Sequence, residues 1–370
     1  MSWWQATSLE LECFPAVPEQ IARPWDSADE YLMDHLDCDT PTLLFNDRYG
    51  ALACALQQPV CWLDSACAHQ SSINNRQRNG LDQTDARWIN TPQQLQDSDI
   101  SQVIIRLPKN FEQLRYWLQL CREHLDSQTT IYLAGMAKHI PVRWLNWLEQ
   151  HCAHYQQLPI KRKARLVQVR HPANDPGLRL WQEYQVGPLN IQSLPGVFSR
   201  ASLDPGAEFL LHTLSSPDTI TQAQLPDVTG RLCDLGCGNG ILGLWLKQRH
   251  PELQVIQTDD YLPAVESAQQ NALNANVDIA CRHGHSLSAV SEPLDWVVCN
   301  PPFHDGHKQL NNIASDMFND SARQLKPHGN LLVVANRHLH YPPLLKRLFA
   351  RVQRINSDQR FVIFWCQSPR

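Results

Sequence analysis

The chain has 370 residues, 43% of them hydrophobic and 19% charged, which is enough to bury a sizeable core and to form two domains. Its formal net charge of −5 excludes a uniformly basic surface, so any nucleic-acid contact must come from a local patch. No apolar run approaches the roughly 20 residues needed to span a bilayer. Met1 to Glu10 lacks the basic flank and apolar stretch of a signal peptide. The 12 cysteines contain no C-x-x-C pair, and this scatter reads as reduced thiols in a cytoplasmic protein.

In chain order, Thr42 to Asp47 reads as a strand closing at Gly50, followed by an apolar helix from Ala51 to Leu56. Val60 to Asp64 is a second strand, ending in an acid. Val103 to Pro108 and Thr130 to Gly135 are two more. Lys161, Arg162, Lys163 and Arg165 form the densest basic run, and Arg337 adds charge far along the chain. These side chains are candidates for neutralising RNA phosphates, although an ordinary solvated face fits one short run nearly as well. The turn-rich segment His171 to Gly177 reads as a link, giving expected domains at 1–180 and 181–370.

The second half alternates more cleanly. Strands are predicted at Arg231–Leu235, Leu253–Gln257, Leu294–Cys299 and Gly329–Ala335. Helices are predicted at Ile241–Gln248, Pro263–Leu273 and Leu310–Leu325. Such alternation implies an α/β fold with a parallel sheet covered on both faces. The first half repeats the order faintly, so two tandem Rossmann-like domains are expected, the N-terminal one degenerate.

Asp234-Leu235-Gly236-Cys237-Gly238-Asn239-Gly240 lies between a strand and a helix, where open α/β sheets bind ligands. The dinucleotide pattern would need its third glycine at position 241, which is Ile241. A leading acid suits a cationic or amine-bearing ligand better than a pyrophosphate. S-adenosylmethionine has a sulfonium, an amino group and no phosphate. Asp259, ending the next strand, is placed to accept from ribose hydroxyls, with Asp260 as second choice. Cys233 and Cys237 flank Asp234 but make a poor zinc site, so no metal is expected.

Asn300-Pro301-Pro302-Phe303 directly follows the strand ending at Cys299. The exocyclic amine of a base is a poor nucleophile because its lone pair is delocalised into the ring. The Asn300 amide oxygen and the Pro301 carbonyl can accept its two N–H bonds and hold the nitrogen in line for methyl transfer. The prolines stiffen the loop, and Phe303 can stack on the base. His304, Asp305 and His307 follow, but the methylated amine loses its proton easily and no strong base is required.

These segments, with Leu194 to Arg200, Leu203 to Gly206 and Val334 to Arg337, resemble the bacterial ribosomal RNA guanine-N2 methyltransferases with two tandem methyltransferase-like domains. The resemblance covers nearly the whole chain. It implies class I methyltransferase folds, S-adenosylmethionine as cofactor, and catalysis in the second domain. Asn300, Pro301, Pro302 and Phe303 are then catalytic. Asp234, Gly236, Cys237, Gly238, Asn239, Gly240, Asp259, His285 and Phe198 are then cofactor-binding. In the first domain, Asn46 to Gly50 keeps one glycine, Arg48 and Tyr49 fill the cofactor's space, and Leu107-Pro108-Lys109-Asn110 stands where the catalytic motif would be. That domain is expected to serve RNA recognition or structure. The implied partner is ribosomal RNA, with 23S favoured over 16S, and no membrane or obligate protein partner. Methylation of adenine or of a protein glutamine, or an RNA-binding assembly factor, are the alternatives.

Overall fold

The computed structural model describes Trp4 and residues 7–18, 22–95, 99–302 and 308–370. The chain divides into two compact units, residues 1–180 and 181–370.

In the first unit the strands are β1 (Thr42–Phe45), β2 (Pro59–Trp62), β3 (Arg87–Ile89), β4 (Gln102–Arg106), β5 (Thr130–Met136), β6 (Cys152–Gln157) and β7 (Ala164–Pro172). The helices are α1 (Ser27–Met33), α2 (Ala51–Ala55), α3 (Ala66–Arg78), α4 (Phe111–His124) and α5 (Val142–His151). The sheet order is β3-β2-β1-β4-β5-β7-β6. It is parallel up to β5, and β7 runs antiparallel to both of its neighbours. Leu43 and Phe45 pack into one core with Trp117, while Leu44 packs into another with Leu52 on the opposite side. A strand buried on both faces must be apolar throughout, which is why β1 reads as an unbroken run.

The second unit opens with a hairpin, β8 (Gln182–Val186) and β9 (Leu189–Ser193), followed by α6 (Pro205–Ser215) and α7 (Pro217–Ala223). The alternating part comprises β10 (Arg231–Leu235), α8 (Ile241–Arg249), β11 (Gln254–Asp259), α9 (Leu262–Asn274), β12 (Ile279–His283) and β13 (Leu294–Cys299). It continues with α10 (Lys308–Gln324), β14 (Leu325–Asn336), α11 (Pro342–Leu348), β15 (Phe349–Ser357) and β16 (Phe361–Pro369). Its sheet order, β12-β11-β10-β13-β14-β16-β15, repeats that of the first unit strand for strand. The antiparallel strands β6, β8 and β15 lack the unbroken apolar run that marks the buried parallel strands in sequence.

The two sheets can be aligned by their hydrogen-bond register. Phe45 pairs with Trp62 and Ile105; Leu235 pairs with Thr258 and Cys299. Gly50 and Gly240 each cap the following helix with φ of 72° and 81°. Leu63 is therefore the counterpart of Asp259, Asp64 that of Asp260, and Arg106 that of Asn300. Both copies have an acid at this strand end, but Asp64 is one residue out of register with Asp259, and the counterpart of the Asn-Pro-Pro motif begins at Arg106, one residue before the expected Leu107.

Neither capping glycine has room for a side chain. A Cβ on Gly240 would lie 2.7 Å from the Gln257 Oε1 and 2.8 Å from the Ala268 Cβ. Gln257 is held in place, because its Nε2 donates to the Gly240 carbonyl at 2.7 Å. With the positive φ added, Gly240→Ala is expected to destabilise the protein by about 1–3 kcal/mol. A wild-type urea midpoint in that variant would contradict this packing.

Candidate active site

The loop between β10 and α8 is pinned before any ligand arrives. The Gly236 and Cys237 amides both donate to the Thr258 carbonyl, at 2.9 and 3.1 Å. The Gly238 amide donates to Asp259 Oδ2 at 2.9 Å, and the Tyr261 amide to Asp259 Oδ1 at 2.9 Å. Desolvation raises the Asp259 pKa, moderated by these two bonds. Asn239 is buried and donates to the Tyr184 hydroxyl at 3.0 Å and the Ser193 Oγ at 3.2 Å, tying the loop to the β8–β9 hairpin. Asn271 of α9 closes the arrangement, donating to the carbonyls of both Asn239 and Gln192.

Above this loop lies a cavity of about 310 Å³. Leu235, Ile241, Leu242, Ile313 and Met317 supply its apolar lining, and Gly236, Cys237, Gly238 and Asn239 its loop wall. A Cβ on Gly238 would meet nothing within 4 Å, so this backbone faces open space. Asp204, Asp259 and Asp260 bring three carboxylates, and no lysine or arginine lines the cavity among the described residues. That balance suits a positively charged ligand and opposes a phosphate. The Cys237 thiol is pushed well above its ordinary pKa by burial and by the nearby Asp259 and Asp234.

Two buried polar atoms on the cavity wall have no hydrogen-bond partner among the described residues: Asn300 Oδ1 and Ser286 Oγ. Other buried atoms of the chain are also unpartnered, but these two lie on the wall of the cavity, open to a bound group. Asn300 follows β13, and its Nδ2 donates to Asp204 Oδ2 at 2.9 Å. Asp204 is also the N-cap of α6, accepting from the Ala207 amide at 2.9 Å. Pro301 and Pro302 line the cavity beside Asn300, the first buried and the second exposed. His285 and Phe198 reach the wall as well, and Phe198 is 57% exposed at its edge. Phe303, His304, Asp305 and His307 lie outside the described residues.

Two residues of the glycine loop do not line the cavity. Asp234 is fully buried beneath it, where its Oδ2 accepts from the Gly243 amide at 2.8 Å and steadies the first turn of α8. Its acid serves the loop's scaffold, and the carboxylates that line the cavity are Asp204, Asp259 and Asp260. Gly240 packs against Gln257 and Ala268 instead. Sequence reasoning gave no role to Ser286, Tyr184 or Asp204. Asp204 alone carried a signal, an acid directly before the Pro205-Gly206 helix start.

The basic residues are scattered. Lys161, Arg162 and Lys163 sit in the exposed turn between β6 and β7. Lys161 pairs with Asp34, Arg162 with Glu30, and Arg165 donates to Gln157. Arg337, in the second unit, is exposed and donates to the Asp358 carbonyl at 2.8 Å.

Residues 2–173 match the family model described as RLMG N-terminal domain, and residues 188–365 match that of the methyltransferase small domain. A ribosomal RNA large subunit methyltransferase G from Erwinia tasmaniensis is 35% identical, with 96% of each chain covered. One from Klebsiella pneumoniae is 36% identical over 95% of this chain and 94% of that one. The chain belongs to the ribosomal RNA large subunit methyltransferase G family. As a member of that family it is an S-adenosylmethionine-dependent methyltransferase. A T. thermophilus 16S rRNA N2 methyltransferase, solved with AdoMet and guanosine, shares the fold: TM-score 0.75, 22% identity, 93% of this chain and 92% of that one covered. The cavity of this methyltransferase fits its cofactor. It is acidic, has an open glycine wall, and holds a buried hydroxyl with an unused hydrogen-bonding atom.

Burial raises the Asp234 pKa from 3.8 to about 7. Between those values the folded methyltransferase keeps a proton that the unfolded chain has released. Stability from this group is therefore intact near pH 4 and lost as pH rises to about 7. Asp234→Asn keeps an acceptor for the Gly243 amide and removes the titration. Its stability relative to wild type, measured by urea denaturation across that range, should improve as pH rises. A pH-independent difference would contradict the assignment.

Proposed function

We propose that this enzyme transfers a methyl group from S-adenosylmethionine to the exocyclic N2 amine of a guanosine in 23S ribosomal RNA, with residues 181–370 carrying the chemistry. The observation that supports this reading is the Asn300 amide oxygen, buried on the cavity wall with no partner among the described residues. Leaving such an acceptor unmade costs about 1–3 kcal/mol, and an amine N–H would satisfy it. The ribosomal RNA substrate and its large-subunit origin follow the names of the relatives at 35–36% identity. Guanine N2 follows the resemblance in the Asn300 to Phe303 motif.

The cofactor supplies a methyl carbon made electrophilic by its bond to a positively charged sulfur. The chain's own residues do the rest. The Gly236 and Gly238 backbone allows close approach, and Asp259 accepts from the ribose hydroxyls with lone pairs left over from its two amide bonds. Ser286 and His285 flank the adenine, and Phe198 offers an aromatic face at the rim. Asn300 Oδ1 and the Pro301 carbonyl accept the two amine N–H bonds, which orients the nitrogen lone pair toward the methyl carbon and stabilises charge as the bond forms. The product nitrogen then gives its proton to solvent.

In this reading the first unit binds RNA or supports the fold and does no chemistry. In the place of Asp259 stands Leu63. The oxygens of neighbouring Asp64 accept from the indole N–H groups of Trp62 and Trp117 and the amide of Gln113. These three bonds hold the Asp64 carboxylate within the first unit's own packing.

Incubating the enzyme with labelled cofactor and separated 16S and 23S RNA, followed by nucleoside analysis, should yield N2-methylguanosine from 23S alone. Label in methyladenosine, in 16S RNA or in protein would overturn the assignment. Asn300→Ala should lower the rate by at least about 10²-fold while cofactor binding persists. Replacing Lys161, Arg162 and Lys163 together should reduce the slope of log affinity against log salt by about one to three units. An unchanged slope would remove that turn from the RNA interface.

A further inference from the structure

We infer that Asp204 is a positioning residue for Asn300, deciding which end of the Asn300 amide faces the substrate amine. The inference rests on the reading of Asn300 given above. A primary amide has two ends of nearly the same shape and opposite hydrogen-bonding sense: the oxygen accepts and the NH2 donates. Turned one way, Asn300 offers the amine an acceptor. Turned the other way, it offers a donor to a group that is itself a donor, and the site fails.

Asp204 removes the second state. A carboxylate only accepts, so the amide end facing Asp204 Oδ2 at 2.9 Å must be the NH2, and Oδ1 is left looking into the cavity. A bond to a charged acceptor is also stronger than a neutral one, and it draws electron density through the amide toward Oδ1. Asp204 is itself held rigidly. It is 9% exposed and its Oδ2 accepts from the Ala207 amide at the start of α6, whose Leu210, Leu211 and Leu214 pack into the core.

The first unit supports this independently. Asp26 caps α1 as Asp204 caps α6, accepting from the Ala28 amide at 2.7 Å. Its other partner is Arg106 Nη2 at 2.9 Å, and by register Arg106 is the counterpart of Asn300. The link from helix cap to strand end is thus built into both copies of the fold. In the first copy it ends in a guanidinium, which has donors and no acceptor. Only in the second does it end in a group with an acceptor to spare.

The test separates capping from positioning. Asp204→Ser keeps a capping hydroxyl but is too short to reach Asn300, whereas Asp204→Asn keeps an acceptor oxygen of the right length. Asp204→Ser is expected to lower kcat at saturating cofactor about 10- to 100-fold, with KM for RNA within about twofold of wild type. Asp204→Asn should recover most of the lost kcat. Combining Asp204→Ser with Asn300→Ala should be no slower than Asn300→Ala alone, since both remove the same contact. Wild-type kcat in Asp204→Ser, or losses that multiply in the double variant, would overturn the inference. Full activity in Asn300→Ala would instead overturn the reading of Asn300 beneath it.

Discussion

The strand order reverses at β10, and the second unit's site depends on that reversal. From β10 the chain crosses to one side to form β11 and β12, then returns to the other side for β13 and β14. Loops leaving β10 and β13 therefore separate above the sheet and leave a crevice between them, with every backbone ladder bond below intact. The glycine loop forms one wall and the Asn300 loop the other. β10 is buried on both faces, with Leu232 in one packed core and Cys233 and Leu235 in the other, so the strand from which the glycine loop springs is anchored from both sides.

The first unit has the same strand order but lacks the glycine, the ribose-facing acid and the amide at the register positions where the second unit has them. Asn46, Leu63 and Arg106 stand where the second unit has Gly236, Asp259 and Asn300. The change is more than loss of groups, because charge has been redirected inward. Arg106 pairs with Asp26 and Asp29, and Asp47 turns into the helix start to accept from the Ala53 amide. Burial holds Asp47 near a pKa of about 6. Asn46 in turn donates to the Arg106 carbonyl at 2.9 Å, so charged and polar groups at these positions are engaged within the first unit's own fold.

Much of this was legible in the sequence. Strands buried on both faces appear as apolar runs, and β10 and β13 have the same limits in the structure as in the sequence reading. Glycines that a backbone conformation requires were equally visible. Strands β8 and β15 were not, because partly exposed strands mix polar and apolar residues, and the buried apolar run of β16 was passed over. In the site, the motif residues stood out by spacing, but the direction a side chain faces did not. Asp234 looked like a ligand contact and points beneath the loop. Ser286 carried no pattern, and its significance is only that its hydroxyl is buried beside the cavity with no partner among the described residues. The one-residue offset between Asp64 and Asp259 is of the same kind, since register belongs to strand pairing and cannot be read from a single strand.

The state of Cys237 has a consequence for the enzyme's durability. A methyl group ready to leave a sulfonium is a hazard to any strong nucleophile beside it, and a thiolate is among the strongest that a protein carries. Cys237 lines the cavity that fits this donor. Burial and two neighbouring carboxylates keep it protonated, and a protonated thiol is a weak nucleophile. The same acidic surroundings that suit a cationic cofactor thereby also disfavour a thiolate at Cys237.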